Sequence, residues 1–290
     1  MNRKKLLALI YLIALGIGVL FIIFNPMPYG DQSDYDIHAR NLLNGNGISL
    51  ATQPPYFPDV YRTPGMGIFL YLIYKVFGIN YVVVKIIQAA LNAVVPIFIY
   101  YLCKRIFNEP FAYIAAFAIA LYPFTTLFVP VISSETLCIF LFCLGLFLFE
   151  KGRESDKKIF FFLAGITYGY CLLIRPGTSL MPLFLTIGYL LVADFKKIWK
   201  FILVFNISVL IIWSPWIIRN YTVTNRFIPL TVESHEMIYW ATGSIGKYFE
   251  DRTSNPKFKK QMSEVERELR ESKLEGMERV IKEEELYLKF

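Results

Sequence analysis

An all-α, polytopic bundle of membrane-spanning helices is the fold class this sequence predicts, and three observations carry that expectation. Hydrophobic residues make up 56% of the 290 and aromatics 17%, with a mean hydropathy of +0.46, more apolar character than the core of a soluble domain of this length can use. Apolar runs recur at helical length up to about residue 218. Lys and Arg collect in alternate connections between those runs. The expectation is about seven transmembrane helices, plus amphipathic helices in the first extracytoplasmic loop.

At the N-terminus Arg3, Lys4 and Lys5 precede the run Leu6 to Phe24, long enough to cross a hydrocarbon core of about 30 Å. A cleaved signal peptide would have a shorter apolar region ending in small residues. This run closes on FIIFNPMPYG and is read as a retained anchor. Further spans are expected at Tyr81 to Leu102, Phe111 to Val131, Thr136 to Phe149, Ile159 to Ile174, Ser179 to Val192 and Ile198 to Ile218. The organisation is therefore a transmembrane module, 1–218, whose first outer loop covers 25–80, followed by a charged outer tail, 219–290, with a helical run from Met262 to Leu288. That run places opposite charges at helical spacing and reads as a solvated helix.

The net charge of +7 is not a nucleic-acid signal. From Arg219 onward 13 Lys/Arg face 13 Asp/Glu, which leaves 17 against 10 in the membrane half. With the N-terminus inside, the cytoplasmic segments hold Arg3, Lys4, Lys5; Lys104, Arg105; Lys151, Arg153, Lys157, Lys158; and Lys196, Lys197, Lys200. The outer segments of that half carry Arg40, Arg62 and Arg175, apart from Lys75 and Lys85, so the sorting follows the positive-inside rule. Gly65 to Gly78 is too short to span and is placed as a helix lying at the interface; as a span it would invert every later segment and spoil the sorting. The four cysteines, Cys103, Cys138, Cys143 and Cys171, lie inside apolar runs without metal-ligand spacing and are read as small buried hydrophobes.

The hydrophilic interruption from Gly30 to Gly67 organises the chain. Its first half is a short amphipathic helix, with Tyr35, Ala39, Leu42 and Leu43 on one face and Asp34, Asp36, Arg40 and Asn41 toward the other. Ser33 is the expected N-cap and Gly45 the stop. Asp36 is spaced to pair Arg40 at i+4. Asp31 stands just outside this helix at the membrane boundary, positioned to present a carboxylate to a cavity between spans. His38, a lone histidine on a helix flank, is read as packing, and His235 has no partner at metal spacing.

The ordered set Asp31 and Tyr35, Ala39, Leu42, Leu43, Gly45-Asn46-Gly47, Arg62-Thr63-Pro64-Gly65, Phe77-Gly78, Ser134-Glu135, Arg175-Pro176, Pro215-Trp216 and Arg219-Asn220 resembles the GT-C superfamily of integral-membrane glycosyltransferases. That group includes dolichyl-phosphate-mannose protein mannosyltransferases and the aminoarabinose transferases of lipid A. The resemblance covers roughly residues 1 to 240. It implies a polyprenyl-phosphate-linked sugar as donor, an extracytoplasmic acceptor (a lipid, glycan or protein), and transfer with inversion at the plasma (inner) membrane. Asp31 would be the general base and Glu135 a second catalytic acid that binds a sugar hydroxyl, orients the acceptor or assists a metal. Arg62 and Arg175 would hold the leaving phosphate, because a guanidinium offers two parallel donors and stays charged at any working pH. Asp34, Tyr35 and Arg219 would contact the acceptor. A divalent cation is optional on this reading, and no metal ligand is assigned.

Structural roles stand beside these. Asp31 can cap the next helix, Arg175 can snorkel to headgroups, Glu135 can serve as the early acid of a helix started by Ser133 or Ser134, and Arg62 can be a solvated loop residue ahead of the Pro64-Gly65 turn. Several superfamily members carry two adjacent acids in the first loop; here Gln32 follows Asp31, so a second carboxylate would be Asp34 or Glu135. Relatives continue with further spans. The alternative expectation is therefore a non-catalytic membrane subunit or lipid-sugar carrier, with a partner subunit supplying the C-terminal part.

Overall fold

The computed structural model describes residues 2–24, 32–232, 256–274 and 276–287, and all regular structure among them is helical. Three helices are long and apolar enough to cross a membrane: α1 (Arg3–Phe24), α4 (Tyr81–Ile106) and α10 (Phe195–Thr224). At 1.5 Å per residue they reach about 33 to 45 Å, against a hydrocarbon core of about 30 Å. The remaining apolar helices are α3 (Gly65–Phe77), α5 (Glu109–Leu121), α7 (Ser134–Ser155), α8 (Lys158–Ile174) and α9 (Met181–Val192). The short helices α2 (Gln32–Leu43) and α6 (Pro123–Thr126) lie in connections, and α11 (Pro256–Ser272) and α12 (Gly276–Tyr287) in the tail.

Several expected boundaries move. The single span expected over Phe111 to Val131 is broken: α5 stops at Leu121, α6 occupies four residues, and the chain turns before α7. Pro123 has no N–H to continue the helix, and Tyr122 is extended with ψ 113°. The carbonyls freed by this turn need partners in an apolar setting. Gln88 of α4 supplies them, its amide donating to the Val129 and Val131 carbonyls at 3.0 and 2.8 Å. The helix expected from Met262 to Leu288 is likewise two helices, parted where Lys273 takes a positive φ of 50°. Ser33 lies inside the first turn of α2 rather than capping it, whereas Gly45, at φ 77°, ends that segment as expected. Asn41, expected on the polar face, is buried, and its amide donates to the Ser49 and Ala51 carbonyls. α10 runs on to Thr224, past the expected tail boundary.

Packing follows small residues. On α8, Gly165 and Gly169 bring that helix against α10 so closely that a Cβ at either would meet the Phe205 carbonyl oxygen at 2.3 Å or Ile212 at 2.8 Å. Phe149 of α7 packs edge to face on Phe161 of α8 and Phe205 of α10, at 5.2 and 5.1 Å between ring centroids. Ala112, Ala116 and Ala120 form the buried stripe of α5. Outward, Leu12, Ile23, Phe111, Phe184 and Leu191 are exposed, an apolar exterior that suits lipid contact. Cys138 and Cys171 are buried as expected, while Cys103 and Cys143 are half-buried; all four are free thiols.

Charged groups gather at the two ends of the bundle. At one end Arg105 pairs Glu150 and Glu154 across α4 and α7. At the other, α2 and α3 and the loop between them rest on the ends of α7, α8 and α10, and the candidate site forms there.

Candidate active site

The Arg62-Thr63-Pro64-Gly65 segment docks on the end of α8. Thr63 donates its hydroxyl to the Ile174 carbonyl at 3.3 Å, and the Tyr170 hydroxyl donates to the Gly65 carbonyl at 2.8 Å. A Cβ at Gly65 would meet the Leu173 carbonyl oxygen at 2.5 Å, so only glycine permits this approach. Arg62 and Arg175 thus flank a direct bond between their neighbours, Thr63 and Ile174, which lie 111 residues apart in sequence.

Each arginine holds one of the expected carboxylates. Arg62 Nε donates to Asp34 at 3.0 Å, and the pair is largely buried. Arg175 donates through one Nη to Glu135 at 2.8 Å and to the Ser134 hydroxyl at 3.1 Å. Burial alone would lower the Arg175 value, but the bond to Glu135 and its charge outweigh that and hold it above the ordinary one. Nearly half of the Arg175 side chain, 49%, is exposed. Tyr35 is buried in the apolar cluster that includes Leu137, Cys138 and Ile174, so its ring braces α2 against the same ends of α7 and α8.

Asp59, which the sequence reading did not single out, fixes the loop. Its carboxylate accepts from the Tyr61 and Arg62 backbone N–H groups at 2.8 and 3.1 Å and sits 2.8 Å from His38 Nε2. Both side chains are buried. His38 packs, as expected, and does so against Asp59. An aspartate bonding the N–H groups two and three residues on is an Asx turn, and Pro58-Asp59 ahead of Pro64-Gly65 is the signal that marks it. Arg219 donates to the carbonyls of Asp59 and of Ile48, the latter at 3.2 Å, and its guanidinium lies 4.7 Å from the Trp216 ring centroid. Asp36 is taken up by Arg40 at 2.6 Å, as its spacing predicts, and by the Tyr74 and Tyr81 hydroxyls.

The structure therefore brings together Asp34 with Arg62, and Glu135 with Arg175, and joins the two pairs through Thr63. Asp31 and His235 lie outside the described residues. Among the described residues no three His, Cys, Asp or Glu side chains converge to hold a metal ion.

These guanidinium–carboxylate pairs lie at one end of a helical bundle whose outer surface is apolar. Residues 61–218 match the family described as dolichyl-phosphate-mannose-protein mannosyltransferase, and the chain belongs to that family. The family is one of membrane glycosyltransferases. The matched segment contains Arg62, Glu135 and Arg175, and begins after Asp31, Asp34, Tyr35 and Asp59. No curated protein matches the chain significantly.

Proposed function

We propose that the chain transfers a sugar from a polyprenyl-phosphate carrier to an extracytoplasmic acceptor, with inversion at the anomeric carbon. The acceptor hydroxyl or amine forms the new bond to that carbon while the bond to the carrier phosphate breaks and its electron pair stays on the phosphate. Asp31 takes the acceptor proton, a role worth about 10² to 10⁴ in rate. Arg62 and Arg175 meet the negative charge that grows on the phosphate, and Glu135 holds Arg175 in place and orients the bound groups. Asp34 lines the acceptor side, while the buried Tyr35 ring and Arg219, bonded to the first loop, hold that wall in place. The site would face outward at the plasma membrane, a placement supported by the Lys and Arg that collect at the opposite end of the bundle.

The observation that supports this reading is the Thr63 to Ile174 bond, which joins the backbone next to Arg62 to the backbone next to Arg175, each arginine being oriented by a carboxylate. The test uses the full chain in lipid, a panel of polyprenyl-phosphate sugars, and release of the carrier phosphate as readout. Turnover with at least one donor, lost in Asp31→Asn and in the double variant Arg62→Gln/Arg175→Gln, is expected. Full turnover in Asp31→Asn, or in that double variant, overturns the assignment.

A further inference from the structure

The end of the bundle opposite the transfer site holds a second charged cavity, of about 500 Å³, between the start of α1 and the last turns of α4 and α7. Four cations line it, Arg3, Lys104, Arg105 and Lys151, against a single acid, Glu154. That acid is shared, pairing Arg105 at 2.7 Å and Lys151 at 3.5 Å. Lys104 is held at 3.0 Å by Glu109, which stands outside the cavity lining. Arg3 is exposed and in no ion pair among the described residues. Arg105 also meets Glu150 at 3.2 Å, an acid outside the lining that Arg153 shares, so the lining itself keeps a positive surplus, with Arg3 its cation unpaired among the described residues. Tyr101 and Phe147, with ring centroids 5.6 Å apart, supply an apolar wall.

We propose that this cavity binds the phosphate of an anionic phospholipid headgroup. Its charge fits a phosphodiester, and basic cavities between spans at headgroup level are where such groups settle. A lipid rather than a soluble phosphoester is favoured by what surrounds the opening. Ile106 and Phe107, just past Lys104 and Arg105, are exposed, as are Leu9 and Leu12 on α1, so acyl chains have apolar surface to follow from the cavity into the bilayer. A forked guanidinium, Arg3, and the two flexible ammonium groups of Lys104 and Lys151 can converge on one phosphate. Scattered over α1, α4 and α7 in the sequence, these residues are gathered by the fold into a single concave surface.

The test measures lipid retained by the full chain after extraction from nanodiscs of phosphatidylcholine containing a minor share of phosphatidylglycerol, read by native mass spectrometry. Phosphatidylglycerol is expected to be retained in preference to phosphatidylcholine. The double variant Lys104→Gln/Lys151→Gln is expected to lower that retention by about tenfold or more. Lys104→Arg/Lys151→Arg keeps the charge and retains the lipid, which separates loss of the site from loss of the fold. Lys196→Gln/Lys197→Gln removes two exposed cations outside the cavity and leaves retention unchanged. Equal losses in the two Gln pairs would mean diffuse attraction and overturn the proposal. So would inorganic phosphate, added to phosphatidylcholine-only nanodiscs, raising the thermal midpoint through Lys104 and Lys151 while phosphatidylglycerol is not retained, since the ligand would then be a soluble phosphoester.

Discussion

Arg175 and Arg219 sit near the ends of neighbouring helices at the same end of the bundle, and the fold uses them in opposite ways. Arg175, just past α8, bonds only side chains and keeps nearly half its surface open. Arg219, within the last turns of α10, lies under the first loop with its donors on the carbonyls of Ile48 and Asp59 and on Asn220. One guanidinium stays half open, and the other fastens the loop that carries Arg62. An arginine at the mouth of a membrane site therefore has to be judged by where its donors go.

The sharpest break of that comparison is Arg175→Ala. Removing one preorganised donor to a developing negative charge costs about 10² to 10³ in turnover. The thermal midpoint should move little, because a partly exposed ion pair contributes roughly 0 to 1 kcal/mol. A collapse of the midpoint with turnover per folded molecule intact would make Arg175 structural after all.

Next in size, Arg219→Ala strips the donor from two carbonyls and the cation from the Trp216 face. About 1.5 to 3 kcal/mol of stability should go, visible as a lower unfolding midpoint. Donor preference should be unchanged. If Arg219→Ala instead abolishes turnover at full stability, the contrast with Arg175 fails and the acceptor-contact role is the better one.

Asp59→Asn sharpens the same point, since Asp59 holds the backbone of Arg62 and the buried His38. A loss of about 1 to 2 kcal/mol is expected, along with weaker donor binding as Arg62 loses its fixed position. Thermal melts alongside KM for the donor separate the two effects.

The smallest effect is Tyr74→Phe, which removes one of three groups on Asp36, at about 0.5 to 1.5 kcal/mol. Burial first, and the bond to Asp36 second, raise the Tyr74 phenol above its ordinary value of 10.0. The folded state therefore binds that proton more tightly than the unfolded chain. Its contribution is complete below about pH 10 and is lost as the pH rises beyond that. Alkaline melts of Tyr74→Phe should show a shallower decline than those of the unaltered chain.

Much of the fold was legible in the sequence, but the continuity of its helices was not. Hydropathy marks where apolar residues lie and is blind to Pro123 ending α5 early, with Gln88 on another helix taking up the carbonyls this frees. Of the ion pairs at the candidate site, Arg62, Glu135 and Arg175 stand out in the sequence by type and order and Asp34 as an acid of the first short helix, but their pairing does not. Asp59 passed as one more loop acid until its bonds to two backbone N–H groups and to His38 were seen. His38 illustrates the reason. Its neighbour along the chain is a helix face, and its partner is 21 residues away.

What the sequence determined by itself was a membrane-borne helical bundle and the segments in which its charged residues collect. These are local properties, set by side-chain transfer energies and by runs of adjacent residues. Only the tertiary structure decided which carboxylate meets which guanidinium, which arginine stays open, and that scattered lysines and arginines at the far end share one cavity. Those outcomes depend on contacts such as Arg62 with Asp34 and Thr63 with Ile174, 28 and 111 residues apart. Such distances are closed only when whole helices pack, through glycines such as Gly65 and Gly165 that leave room for a neighbouring backbone.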